Sequence, residues 1–129
     1  MNGRFLLDTT IAIGIFGRDE KILQQLTRAG EIFLSSIALG ELYYGAFRSG
    51  RVEANLARIA ELAASVPVLS CDELTSRHYG ETKKSLKEKG RPIPENDLWI
   101  AALAKQHGLT VASRDDHFNQ VEGLPVETW

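Results

Sequence analysis

The stretch RFLLDTTIAI, residues 4–13, governs the fold because it sets one charged side chain between two apolar segments. Residues 4–7 are typical of a short buried strand, and residues 9–17 of a short helix. Asp8 stands at the junction, where its side chain can cap the helix. A strand-end aspartate can also belong to an active site, and this stretch by itself leaves both interpretations open.

Strand-like and helix-like segments alternate along the rest of the chain. Apolar runs predict further strands at residues 31–36, 66–70, 109–113 and 124–129. Helical spacing predicts helices at about residues 19–29, 37–48, 52 to just before Pro67, 72–89 and 94–107, with Ser36 as an N-cap and Pro94 in a first turn. The alternation predicts one domain over residues 1–129, a three-layer α/β/α sandwich around a mainly parallel sheet of about five strands.

Composition limits the classes of function that remain. The 129 residues carry a formal net charge of -2, so the chain as a whole is not a basic nucleic-acid binder, although a local basic face is still possible. Cys71 is the only cysteine, and the three histidines have no ligand-like spacing, which argues against a zinc site. We expect a cytoplasmic protein without a membrane segment, because no secretory signal or long apolar run is found.

Four acidic residues fall where the predicted fold would bring them together. Asp8 closes the first strand, and Glu41 lies in the helix after the second strand. Asp97 lies in the first turn of the helix that begins at Pro94, and Asp115 follows the fourth strand. Ligands of such sheets bind beyond the carboxyl ends of the strands. Carboxylates gathered there raise one another's pKa, and a divalent cation relieves this repulsion. Oxygen ligands favour Mg²⁺, with Mn²⁺ as the alternative.

Each acid also has a purely structural interpretation. Asp8 can cap a helix, Asp97 can complement a helix dipole, and Asp115 with its neighbour Asp116 can form a turn. Glu41 fits such an interpretation least, because the glycines on either side of it lower helix propensity and would leave space around a carboxylate.

Four segments together resemble a known family. LLDTTIAI, SSIALGELYYGA, PENDLWIAALA and VASRDDHF are similar, in order and spacing, to the four acidic motifs of PIN-domain ribonucleases. The resemblance is greatest to the VapC-type toxins of bacterial toxin–antitoxin pairs, and it covers nearly the whole chain. It implies a Mg²⁺-dependent endoribonuclease that hydrolyses RNA phosphodiester bonds and, as a toxin, inhibits translation.

The resemblance also implies roles for individual residues. Asp8 and Asp97 would be the principal metal ligands, Glu41 would be a ligand or would orient the attacking water, and Asp115 rather than Asp116 would be the fourth acid. The supporting hydroxyl groups would be those of Thr9 and Ser113. Thr10 departs from the serine or asparagine that is frequent at its position. The implied partners are an RNA, either transfer or ribosomal, a small VapB-like antitoxin and a second copy of the chain.

Other residues have less specific interpretations. A basic run could contact the RNA backbone or could simply form a solvated helix face; it comprises Lys83, Lys84, Lys87, Lys89 and Arg91. Arg114 could reach a phosphate from its place beside Asp115, whereas His117 is expected on the surface without a role in the chemistry. Tyr43, Tyr44, Phe47 and Trp99 are expected in the core or a dimer interface, and Trp129 is expected to pack the C-terminus against the domain.

Three alternatives stay open at this point. A PIN-like nuclease could act in RNA processing without an antitoxin. A Mg²⁺-dependent phosphatase with an aspartyl nucleophile would normally carry a second aspartate at the position of Thr10, and it would leave Glu41 unexplained. A non-catalytic metal-binding or phosphate-binding module of the receiver type would normally carry paired acids after the first strand and a late lysine.

Overall fold

The structure is a computed structural model that describes residues 3–129. Within that range five strands form one sheet: β1 (Arg4–Leu7), β2 (Glu31–Ser35), β3 (Val68–Leu69), β4 (Thr110–Ser113) and β5 (Val126–Thr128). Their spatial order is β3-β2-β1-β4-β5, and every neighbouring pair is parallel. The predicted α/β/α sandwich with a parallel five-stranded sheet is therefore confirmed.

Six α-helices connect the strands within the described range: α1 (Thr9–Phe16), α2 (Glu20–Arg28), α3 (Ser36–Phe47), α4 (Val52–Ser65), α5 (Glu73–Glu88) and α6 (Glu95–His107). A 3₁₀ helix (Asp116–Gln120) follows β4. No helix of residues 3–129 combines the length and the apolar character that crossing a membrane would require.

Both faces of the sheet are covered, and β1 shows why. Phe5 and Leu7 contribute to a core shared with α1 to α4, whereas Leu6 contributes to a second core shared with α5 and α6. Successive strand residues point to opposite faces, so a strand with three consecutive apolar residues, as at positions 5–7, needs a helical layer on each side. Trp129 closes the first core from the C-terminus, with its ring centroid 5.1 Å from that of Phe5, as the sequence predicted.

Several element boundaries differ from the prediction. Ser35, not Ser36, is the N-cap of α3, and its hydroxyl accepts a hydrogen bond from the amide of Ala38 at 2.9 Å. Pro94 precedes α6 as its N-cap and does not lie in its first turn. The third strand has only two residues, because it pairs with β2 alone at the sheet edge. Adjacent serines and short edge strands give weak sequence signals, which accounts for these errors.

The topology places a crevice beside β1. From β1 the chain adds β2 and β3 on one side and later adds β4 and β5 on the other. The strand order therefore reverses between β1 and β4. Open parallel sheets bind their ligands at this point, beyond the carboxyl ends of the strands.

Candidate metal centre

The four predicted acids line one cleft of about 420 Å³ at the carboxyl edge of β1 and β4. Asp8 follows β1 directly, Glu41 lies in the second turn of α3, Asp97 lies in the first turn of α6, and Asp115 follows β4. The convergence expected from the sheet topology is thus present in the structure.

Asp8 is the most deeply placed of these acids, with only 3% of its surface exposed. One carboxylate oxygen accepts a hydrogen bond from the amide of Ile11 at 3.1 Å, so Asp8 also caps α1. Burial raises the pKa of this carboxyl group, and hydrogen bonds from Ser113 and Thr10 partly offset the rise. The two interpretations of Asp8 are therefore compatible, since one side chain both begins the helix and faces the cleft.

The hydroxyl groups around the acids are distributed differently from the prediction. Ser113 donates to Asp8, as expected, and accepts from the amide of Asp115 at 2.8 Å. Thr9 does not bond Asp8; its hydroxyl donates to Glu41 Oε1 at 2.6 Å. The hydroxyl of Thr10 donates to Asp8 instead, because consecutive side chains in the first turn of α1 point in different directions.

Glu41 reaches the cleft from α3 and is half-buried there. The expectation that its flanking glycines are needed to clear space is wrong. A Cβ atom added to Gly40 or to Gly45 would meet nothing within 4 Å, so packing within residues 3–129 does not require glycine at either position.

Asp97 and Asp115 share a partner that the sequence interpretation placed outside the chemistry. His117 Nδ1 lies 2.9 Å from Asp97 Oδ2 and 3.0 Å from Asp115 Oδ1. The three residues offer ligand atoms within 4.8 Å of one another. Burial raises the pKa of Asp97, and His117 opposes the rise. The hydrogen bond that His117 donates to Asp97 raises the pKa of the imidazole. His117 therefore belongs to the site and is not merely a surface residue.

The 3₁₀ helix explains both His117 and the choice between the adjacent aspartates. Asp115 caps this helix by accepting a hydrogen bond from the amide of His117 at 3.1 Å, which turns the imidazole back toward the cleft. Asp116 is exposed, and only Asp115 of the pair lines the cleft. The Asp-x-His spacing is a signal that could have indicated the position of His117.

The comparisons with known proteins identify the family. Residues 5–124 match the PIN domain. The chain belongs to the PIN-domain family.

Relatives within the family are VapC proteins. The chain is 36% identical to Ribonuclease VapC2 of Haemophilus influenzae, with 98% of each chain covered. It is 33% identical to the tRNA(fMet)-specific endonuclease VapC of Shigella flexneri, again with 98% of each covered. Among solved structures, a chain of the DNA-bound VapBC of Salmonella typhimurium superposes with a TM-score of 0.90 at 32% identity, and 98% of each chain is covered. The predicted VapC-type resemblance is confirmed.

Arg114, which the sequence placed within possible reach of a phosphate, is engaged by other groups of this PIN-domain chain. Its guanidinium group forms a bidentate ion pair with Asp19, with both N–O distances 2.8 Å, and its Nε donates to the carbonyl of Trp129 at 2.7 Å. A guanidinium group held on three bonds ties α2 and the C-terminus to β4. We therefore do not assign Arg114 to RNA binding.

The predicted basic residues of α5 and the turn after it fall into two groups. Lys83 pairs with Glu95 at 3.2 Å, and Lys84 pairs with Glu88 at 2.8 Å. Lys89 pairs with Glu122 at 3.1 Å. Lys87 and Arg91 are exposed.

The aromatic residues of α3 divide between core and surface. Tyr43 packs against the first core, as expected. Tyr44 and Phe47 are 67% and 64% exposed, so the core interpretation is wrong for them. Trp99 is half-buried and stacks on Tyr79, with ring centroids 4.0 Å apart.

Proposed function

We propose that this chain is a metal-dependent endoribonuclease, the toxin of a toxin–antitoxin pair, which cleaves RNA in the cytoplasm and thereby inhibits translation. The observation that carries the proposal is the cleft at the reversal point of the sheet, where the carboxylates of Asp8, Glu41, Asp97 and Asp115 come together from four separate parts of the chain. The names of the full-length relatives, which are ribonucleases and a tRNA-specific endonuclease, support the same chemistry.

The residues of the cleft fit a divalent cation that prefers oxygen ligands. Asp8 and Asp97 are both carboxylates whose pKa is raised by burial, and Asp115 contributes to the raised pKa of Asp97. A cation would lower these pKa values and relieve the repulsion. Carboxylate oxygens favour Mg²⁺, with Mn²⁺ as the alternative. We propose Asp8, Asp97 and Asp115 as the ligands, with Glu41 beside them.

A bound divalent cation stabilises the negative charge that develops on a phosphate during hydrolysis. The chain's own residues then position the reactants. Thr9 holds Glu41 Oε1 at 2.6 Å, which fixes the carboxylate so that its other oxygen can accept a proton from the attacking water. Ser113 and Thr10 hold Asp8. The water oxygen bonds to phosphorus, and the P–O bond to the leaving nucleotide breaks.

The partners of the toxin follow from different observations. The solved relatives include VapBC complexes, which supports a VapB-like antitoxin as partner of this chain. The exposed Tyr44 and Phe47 on α3 support a homodimer, because large exposed apolar side chains are characteristic of interfaces. The exposed Lys87 and Arg91 support contacts to RNA phosphates.

The decisive experiment compares an acid that lines the cleft with an acid that does not, in a cleavage assay. Purified protein is incubated with RNA in Mg²⁺, with and without EDTA, beside the variants Asp97→Asn and Asp116→Asn. We expect EDTA and Asp97→Asn each to lower the cleavage rate by at least about 100-fold, which corresponds to about 2.7 kcal/mol of lost transition-state stabilisation.

Asp116→Asn is the matched control, because Asp116 is exposed and does not line the cleft. It should cleave within about twofold of the wild type. Circular dichroism checks that both variants fold. Cleavage that survives both chelation and Asp97→Asn would refute the metal-dependent mechanism.

A further inference from the structure

We propose that Lys83 and Tyr79 form a binding point for one phosphate group of the RNA strand at the rim of the acidic cleft, and that Glu95 occupies this point until RNA displaces it. The inference rests on the proposed nuclease function, and it assigns a role to Tyr79 and Glu95.

Three side chains from two helices make up the binding point. Lys83 Nζ lies 3.1 Å from the hydroxyl oxygen of Tyr79 and 3.2 Å from Glu95 Oε2. The Tyr79 hydroxyl donates to the other oxygen, Glu95 Oε1. Both oxygens of Glu95 are thus engaged by a cationic donor and a hydroxyl donor. A phosphate group, with its negatively charged oxygens, accepts the same pair of donors.

The location of Glu95 connects this point to the cleft. Glu95 begins α6 two residues before Asp97, and its side chain lines the same cleft. With both of its oxygens already bonded to α5, Glu95 is not placed as a fifth ligand of the metal centre. A phosphate that replaced its carboxylate would lie on a strand passing along the rim of the acidic site.

The donors are held in place before any ligand arrives. Tyr79 stacks on Trp99 with the ring planes 11° apart, which fixes the direction of its hydroxyl group. Lys83 follows Tyr79 by one helical turn on α5, and its ammonium group lies 5.4 Å from the Tyr79 ring centroid. Rigid donors lose little conformational entropy on binding, whereas the Glu95 side chain, 56% exposed, is free to turn into solvent.

The chain offers a matched comparison at the next residue. Lys84 also forms an ion pair with a glutamate, Glu88, at 2.8 Å, but this pair lies within α5 and its lysine is 74% exposed. Neither residue of the Lys84 pair lines the cleft. The two pairs therefore have the same charges and both lysines lie on α5, but Glu95 lies on α6 and lines the cleft, whereas Glu88 lies on α5 and does not.

The test measures RNA binding separately from cleavage. A fluorescein-labelled single-stranded RNA oligonucleotide is titrated with the full chain in EDTA at low salt, and its anisotropy is recorded. We expect Glu95→Gln to tighten Kd by about 3- to 5-fold, the range of an exposed ion pair, and Glu88→Gln to change it by less than about twofold. Lys83→Met should weaken binding by about 3-fold or more, and Lys84→Met by less than about twofold.

The double variant Glu95→Gln/Lys83→Met decides whether the gain is due to the freed lysine. We expect it to lose the gain of Glu95→Gln, and Lys83→Met should raise KM for RNA cleavage in Mg²⁺ while kcat is retained. The inference is overturned if Glu95→Gln gains no more than Glu88→Gln, or if the gain persists without Lys83.

Failure of this inference is distinguishable from failure of the nuclease proposal. Normal metal-dependent cleavage with equal effects from both lysine–glutamate pairs would remove the binding point and leave the nuclease. An absence of RNA binding in every variant would overturn the binding point as well, and the cleavage assay would then report independently on the nuclease.

Discussion

Removal of the Ser113 hydroxyl should cost this protein a large part of its stability. Ser113 is 1% exposed, and its hydroxyl donates to the buried carboxylate of Asp8 while it accepts from the amide of Asp115 at 2.8 Å. In Ser113→Ala the carboxylate keeps its charge but loses a donor, and no water replaces it readily at a fully buried position. A hydrogen bond to a charged group contributes about 1.5–3 kcal/mol, and a neutral one about 0.5–1.5 kcal/mol.

The expected loss for Ser113→Ala is about 2–3 kcal/mol of the free energy of unfolding at neutral pH, since the Asp115 amide is only partly buried and regains some solvation. Urea unfolding, followed by tryptophan fluorescence in EDTA, measures it directly. The midpoint should fall by about 1 M or more for an ordinary dependence on denaturant.

Two further measurements make the reasoning refutable. Ser65→Ala removes an exposed hydroxyl that bonds the Glu61 carbonyl at 2.8 Å, and it should change stability by less than about 0.5 kcal/mol. The penalty of Ser113→Ala should also shrink as the pH falls through the pKa of Asp8, because a protonated carboxyl supplies its own donor. A Ser113→Ala variant as stable as Ser65→Ala would show that Asp8 does not depend on this hydroxyl.

Two other predictions concern the scaffold. Gly108 ends α6 with a φ of 66°, so Gly108→Ala should destabilise the protein by about 1 kcal/mol. Thermal unfolding measures the loss, with Gly80→Ala, at a helical site where alanine is favoured, as the control. A Gly108→Ala variant as stable as Gly80→Ala would show that the left-handed backbone is unimportant. Arg114 and the amide of Ile22 lower the pKa of Asp19 from 3.8 to about 2. The stabilisation from Asp19 is then complete above about pH 4 and is lost as the pH falls toward 2. In Asp19→Asn the free energy of unfolding, measured with urea, should therefore fall less steeply between about pH 4 and 2 than in the wild type. An unchanged pH dependence would contradict the assignment.

The fold was predictable because its signals are carried by whole segments. Consecutive apolar residues at positions 5–7 of β1 indicated burial on both faces, and the alternation of strands and helices indicated parallel pairing. Boundaries were less predictable, since Ser35 and Ser36 are chemically equivalent caps and only the path of the chain selects Ser35. The two-residue β3 owes its existence to pairing with β2, which no local pattern records.

The acids of the candidate site could be predicted from the sequence, whereas the place of His117 and the hydrogen-bond partners of Thr9 and Thr10 could not. Asp8, Glu41, Asp97 and Asp115 stand at strand ends and helix starts, so topology alone brings them together. The position of His117 depends on the 3₁₀ helix that follows β4. Thr9 bonds Glu41 and Thr10 bonds Asp8 because consecutive side chains in the first turn of α1 point in different directions. Arg114 is next to Asp115 in the sequence, and only the structure shows that it pairs with Asp19, 95 residues away.

The contact between Ser113 and Asp8 joins positions 105 residues apart, and this separation has a consequence for synthesis. β1 leaves the ribosome well before its neighbour β4 and the acid that follows β4. At about 5–20 residues per second, the interval is roughly 5–20 s. A growing chain therefore carries Asp8 throughout that interval without the strand that completes the cleft, so the candidate metal centre can assemble only after β4 has been made.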